Sequence, residues 1–102
     1  MEQFFDPKSI AVIGANDRPG SIGAALMDNL IQGGFAGAII PINPNHATIR
    51  GLKAYGAITE VDPAPDLAII ATPIATAPEI VRQCVRSGTQ GVIIIAAGGK
   101  EL

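Results

Sequence analysis

Residues 14–23 read Gly-Ala-Asn-Asp-Arg-Pro-Gly-Ser-Ile-Gly, placing three glycines, an arginine and a serine in one short stretch. Glycine lets the backbone turn sharply and lets a ligand come close to the amides. A helix opening near Ser21 would add unpaired N–H groups and the positive end of its dipole, which together favour an anion. Arg18 can give a phosphate a charge-assisted hydrogen bond. Phosphate binding is the chemistry this loop offers. The plainer alternative is a tight strand-to-helix turn in which Ser21 is an ordinary N-cap.

The remaining reactive side chains are scattered. His46 and Cys84 are single and far apart in the sequence, so they make no metal site. His46 reads as a loop histidine near solvent, and Cys84 as a core residue on the inner face of its helix. Asp62 and Asp66 sit beside prolines and read as turn residues. Asp17 is expected to pair with Arg18 or to cap a turn, and Tyr55 to pack at a loop. No catalytic residue is expected.

Strands and helices must position the loop. Residues 9–13 (Ser-Ile-Ala-Val-Ile) form a short branched apolar run, a buried first strand. Residues 21–32 carry Ile22, Leu26 and Leu30 at a spacing of four, one stripe of a helix, which Gly33-Gly34 would end in a left-handed cap. Residues 38–42 give a second strand, and Pro41 within it predicts a strand that is short or near an edge. Residues 52–55 suggest a short strand and residues 57–61 a single helical turn. Residues 67–71 form another buried strand. Thr76 and Glu79 have capping-box spacing at the head of a second helix, with Ile80, Val81, Cys84 and Val85 facing the sheet and Gly88 ending it. Residues 91–95 are the last strand.

Apolar strands alternating with helices predict an α/β domain, a Rossmann-like parallel sheet with helices on both faces. In such sheets ligands sit beyond the carboxyl ends of the strands. That points to Gly14 onward, Asn43-Pro44, Thr72-Pro73 and residues 96–99.

Composition narrows the partners. With 102 residues the chain is long enough for one domain, spanning 1–102. Its formal net charge of −2 argues against nucleic acid or an anionic membrane surface as partner. No apolar run approaches the ~20 residues of a membrane span. The one cysteine cannot form an internal disulfide, which fits the cytoplasm. The ending Lys100-Glu101-Leu102, just after a glycine pair, is expected of the N-terminal part of a longer protein.

A dinucleotide loop would read G-x-G-x-x-G, with a carboxylate closing the second strand to hold the ribose. Here Asn16 stands two residues after Gly14, the loop is longer, and the second strand runs into Asn43-Pro44. An NAD(P)-binding domain of a dehydrogenase or redox sensor is therefore the second reading.

The ordered series F-x-P-K-S-I-A-V-I-G-A from Phe5, P-G-S-x-G to Gly23, G-G-F-x-G at residues 33–37, P-I-N-P at 41–44, G-L-K-A-Y at 51–55, P-D-L-A-I-I-A-T-P at 65–73 and A-G-G-K-E near the end resembles the N-terminal CoA-binding domain of NDP-forming acyl-CoA synthetases, relatives of the succinyl-CoA synthetase α subunit. A similar domain opens protein lysine acetyltransferases that carry a GNAT domain. The resemblance implies coenzyme A or acyl-CoA as ligand, with Gly14, Ala15, Asn16, Arg18, Gly20, Ser21, Ile22 and Gly23 along the phosphates. It places Asn43, Pro44, Thr72 and Pro73 beside the nucleotide, and Ala96, Ala97 and Gly98 along the pantetheine path. Relatives often have lysine after the Asn-Pro pair, where this chain has Asn45-His46; Arg50, Lys53 or Lys100 would have to compensate. The resemblance further implies partner domains elsewhere, a phosphohistidine domain and an ATP-grasp domain, so this domain alone performs no bond chemistry. A standalone CoA-binding protein is the third reading.

Overall fold

The computed structural model describes residues 5–95. Along them run strand β1 (Ser9–Ile13), helix α1 (Ile22–Gln32), strand β2 (Ala38–Ile42), the short strands β3 (Thr48–Ile49) and β4 (Leu52–Lys53), a 3₁₀ turn (Ile58–Glu60), strand β5 (Leu67–Ile70), a second 3₁₀ turn (Ile74–Thr76), helix α2 (Ala77–Ser87) and strand β6 (Gly91–Ile94). β2, β1, β5 and β6 lie in that order in one sheet, and every pair is parallel. β3 and β4 form a separate antiparallel hairpin.

The pleat sends alternate residues of β1 to opposite faces, and both faces are buried. Val12 packs with Ala15, Met27 and Ile49, flanked by Leu26 and Leu30 of α1. Ala11 and Ile13 pack with Ala68, Ile70, Ile58 and Cys84, flanked by Ile80 and Val81 of α2. One helix thus covers each face, as the apolar runs predict. Complete burial of Met27, Val12 and Ile70 stabilises the fold by roughly 1.5–3 kcal/mol for each side chain.

Pro41 stands on an outer strand, as expected. Its carbonyl accepts from Tyr55 N, on the side away from β1, at 3.0 Å. A strand residue's nitrogen points the same way as its carbonyl, so the ladder to β1 loses no donor. The Tyr55 carbonyl in turn accepts from Asn43 N at 2.8 Å, which makes Tyr55 an extra pairing unit on the β2 edge rather than loop packing alone.

Two local expectations are corrected, while the glycine pair closes α1 as expected, in a Schellman motif whose left-handed residue is Gly34 (φ 78), Gly33 (φ −74) still being helical. Phe35 N reaches Leu30 O and Gly34 N reaches Ile31 O. The Thr76–Glu79 capping box does not form, because Thr76 is already helical, closing the 3₁₀ turn that runs into α2. Its hydroxyl donates to Pro73 O instead, and the Glu79 carboxylate holds Arg82 and Gln83. Val85 is 70 % exposed rather than packed on the sheet; Cys84 takes the inward position of that turn.

The chain runs from β1 outward to β2 and then crosses to β5 on β1's other side. Strand order therefore reverses between β1 and β5, and a crevice opens beyond their carboxyl ends. At the opposite end of the sheet, Asp66 ties the strands together: its carboxylate accepts from Lys8 N, its amide donates to Ser9 Oγ, and its carbonyl accepts from Gln90 and Gly91.

Candidate functional site

A cleft of about 400 Å³ opens beyond the carboxyl ends of β1, β2 and β5. Its walls are Gly14, Asn43, Pro44 and Thr72 among the expected residues, joined by Asn45, Gly56, Ala57, Ile58, Ile80 and Gln83. No lysine, arginine or histidine is among the residues lining it, so the cleft is neutral and offers amides, a hydroxyl and apolar carbon. That suits a neutral heterocycle or a flexible amide chain better than a phosphate.

Each hydrogen-bonding group here has a definable role. Thr76 donates to Pro73 O, so in the 2.6 Å contact between the two threonines Thr72 must be the donor. Thr72 Oγ1 is left as an acceptor for a ligand's N–H or O–H. Asn43 is committed to the protein: Nδ2 donates to Ala15 O at 2.9 Å and Oδ1 accepts from Asn45 N at 2.8 Å. It organises the cleft and tethers the glycine loop.

The loop itself is pinned along its length. Gly14 takes φ 93 and donates to Ile42 O at 3.0 Å. Asn16 Oδ1 accepts from Arg18 N at 2.8 Å, and Arg18 O accepts from both Ser21 N and Ser21 Oγ. Ser21 caps α1 by accepting from Ala24 N at 3.1 Å. The amides of Ile22 and Gly23 find no acceptor among the described residues, so the first turn of α1 keeps two donors for an anion. The Arg18 side chain likewise makes no hydrogen bond or ion pair among them. Anion donors beside a neutral cleft fit a diphosphate joined to a heterocycle.

Several expected contacts take other places. Ala15 is fully buried in the α1-side core and its carbonyl is held by Asn43, so it cannot touch a ligand through its side chain. Gly23 is buried where α1 crosses the loop; a Cβ there would drive into the Gly14 carbonyl oxygen. Gly20 and Ser21 line a second hollow of about 380 Å³ on the outer side of the loop, together with Asp17, Asp28 and Arg50. Pro73 is exposed, and His46 is exposed as expected. Ala96, Ala97 and Gly98 lie outside the described residues. Gly56 and Ala57 carried no sequence signal, because a loop's side of a cleft has no periodicity, and Gln83 reads as one more polar position of α2.

Asp17 pairs with Arg50, not with its neighbour Arg18. Arg50 Nη1 lies 3.0 Å from Asp17 Oδ1, while Arg50 Nε and Nη2 grip the Asp28 carboxylate at 2.8 and 3.1 Å. Arg50 is thus held in ion pairs with two carboxylates, and Lys100 lies outside the described residues. Lys53 lies 4.8 Å from the Tyr55 ring centroid, a cation–π contact. The hydrogen bond from Arg50 holds the Asp28 carboxyl below its ordinary range, against a smaller opposing desolvation. A depressed folded-state pKa stabilises above the unfolded value, near 3.8, and that contribution is lost as pH falls through the folded value. Thermal midpoints of the parent and Asp28→Asn should therefore differ by a constant amount above about pH 5, and the difference should shrink as pH falls below the unfolded value near 3.8. Cys84 is fully buried, and burial pushes its thiol up, which leaves it inert.

Among the described residues no cluster of histidine, cysteine and carboxylates could hold a metal ion, and no helix is long and apolar enough to cross a membrane. A family model described as a CoA binding domain matches residues 8–101. An ADP-forming acetate–CoA ligase II of Archaeoglobus fulgidus is 41 % identical over 101 residues, covering 99 % of this chain and 15 % of the ligase. The α subunit of an ADP-forming acetate–CoA ligase I from Pyrococcus furiosus is 40 % identical over 106 residues, 100 % of this chain and 23 % of that subunit. Among solved structures, the dinucleotide-forming acetyl-coenzyme A synthetase 1 of Ca. Korarchaeum cryptofilum, in complex with phosphate and ADP, superposes with a TM-score of 0.87 at 34 % identity, over 93 % of this chain and 20 % of that one. The chain therefore spans between about a seventh and a quarter of the length of these relatives.

Proposed function

The chain belongs to the CoA-binding domain family, and from that premise we propose that it is the CoA-presenting domain of an ADP-forming acid–CoA ligase. In that role it holds the coenzyme while other domains of the parent, a phosphohistidine carrier and an ATP-grasp unit, activate the acid. The reaction is thioester formation from a carboxylic acid, CoA and ATP. This domain's part is positioning: it places the thiol and forms no covalent bond.

The observation that carries the reading is the pairing of a neutral cleft with free anion donors at one sheet end. Ile22 N, Gly23 N and Arg18 would take the diphosphate, and Thr72 Oγ1 would accept from the nucleotide or the pantetheine amides. The end of β2 supports CoA over a nicotinamide dinucleotide. A ribose-binding carboxylate would stand there, but Asn43 occupies it and spends its amide on Ala15 and Asn45.

Calorimetric titration with CoA and NAD⁺ at fixed salt tests this. CoA should saturate, NAD⁺ should bind at least tenfold more weakly, and Arg18→Ala should weaken CoA about fivefold, the loss of one exposed charge-assisted bond. NAD⁺ binding with CoA silent would move the chain to the dehydrogenases.

A further inference from the structure

Arg50 occupies an unusual position. It is the first residue of the two-residue turn Arg50-Gly51 that joins β3 to β4, with φ 52 followed by φ 77 at Gly51. Among the described residues it is the one non-glycine residue with positive φ. Turns of this kind favour asparagine or glycine, because an arginine Cβ strains the left-handed region. Strain of this sort persists where surrounding contacts hold the residue in place.

Those contacts are unusually complete. The Arg50 amide donates to Asp17 Oδ1 at 2.9 Å; Nη1 donates to the same oxygen at 3.0 Å and to the Asp17 carbonyl at 3.3 Å. Nε and Nη2 grip both oxygens of Asp28 on α1. One side chain therefore ties three elements, the hairpin, the glycine loop and the helix whose first turn carries the free amides. Asp17 sits between Asn16 and Arg18, whose own bonds shape the loop from within. Nothing else among the hydrogen bonds of the described residues anchors the loop's outer side.

We propose that Arg50 is a positioning residue: it clamps the glycine loop through Asp17, and α1 through Asp28, so that the Ile22 and Gly23 amides are set for a diphosphate. The ligand named here rests on the CoA reading above, but the loop geometry does not. A bound loop that need not be ordered on binding gives the ligand higher affinity.

Arg50→Asn separates the two roles of the residue. Asparagine suits the turn, so the hairpin keeps its shape and its backbone N–H bond to Asp17, while the guanidinium bonds to Asp17 and Asp28 are lost. Two readouts decide. In the ligand-free chain, amide exchange at Arg18 and Ser21 should speed up at least tenfold in Arg50→Asn, while core amides such as Val12 exchange as in the parent. With ligand, the Kd for CoA should rise about tenfold. Asp17→Ala, which removes the Oδ1 acceptor on the loop, should show the same pair of changes, and the double variant should fall short of the sum of the two single effects, because they share the Arg50–Asp17 linkage. Unchanged exchange at Arg18 and Ser21, or a CoA Kd within twofold of the parent, overturns the proposal. If the parent chain itself binds no CoA, the ligase reading fails, and the exchange comparison alone then upholds or rejects the clamp.

Discussion

Gly23→Ala is expected to destabilise the domain by about 3 kcal/mol, the upper end of the range for overpacking, which lowers the thermal midpoint by on the order of 15 °C in a domain of this size. The reason is the close crossing of α1 over the loop. A Cβ on Gly23 meets the Gly14 carbonyl oxygen, with Gly14 C at 2.9 Å and Ala15 Cα at 3.1 Å. All three are backbone atoms, so no rotamer change relieves the overlap. Either α1 lifts away from β1, opening the Val12–Met27 contact, or the loop shifts and loses its bonds to Ile42 and Asn43. Gly20→Ala is the control. Nothing lies within 4 Å of a Cβ there, so the change carries only the penalty of φ 85, about 1–2 kcal/mol for an alanine in the left-handed region. Thermal melts of the two variants should separate clearly; equal losses would mean that the crossing yields more easily than its geometry indicates.

That contrast shows where sequence reading succeeds and where it stops. The apolar runs at residues 9–13 and 67–71 could be read as parallel strands because burial on both faces demands branched residues throughout; those at 38–42 and 91–95 read alike, although as outer strands they are partly exposed, Ile93 and Ile94 among them. Pro41 announced its edge position through its missing donor. Ser21 announced the helix start by its type. The glycines of the loop could be seen as a group but not told apart. Gly14 turns the chain with φ 93, Gly23 gives α1 room to pack, and Gly20 borders the outer hollow. Their roles depend on what lies across from them, and sequence spacing does not carry that. The same limit applies to Arg50. Its two carboxylate partners stand 33 and 22 residues away, so local sequence favoured the adjacent Asp17–Arg18 pair. The Thr76–Glu79 spacing misled for the converse reason: a 3₁₀ turn ahead of α2 moved Thr76 inside the helical path. The Ala15 side chain, which the related motif places along the phosphates, is fully buried in the core.

The second large effect concerns the cleft. Ala57→Trp is expected to weaken CoA binding at least a hundredfold while leaving the fold intact. Ala57 lies in extended backbone (φ −154, ψ 156), which any residue adopts, and it is half-buried at the cleft wall between Gly56 and Ile58. An indole projecting from this wall is the bulkiest side chain available and takes up much of a cleft of about 400 Å³. A neutral ligand moiety and an indole cannot share it. Ala57 belongs to neither core cluster, so the thermal midpoint should change little. Gln83→Trp fills the cleft from the opposite wall, on α2, and removes one weak contact to Glu79 at 3.4 Å. If both variants lose CoA while melting like the parent, the ligand occupies the space between the walls. If both keep CoA within threefold, the ligand does not use this cleft, and binding belongs to the outer hollow beside Gly20 and Ser21. Because that hollow carries Asp17 and Asp28 against the single Arg50, an anion would meet net repulsion there. The charge balance therefore favours the cleft side of the loop.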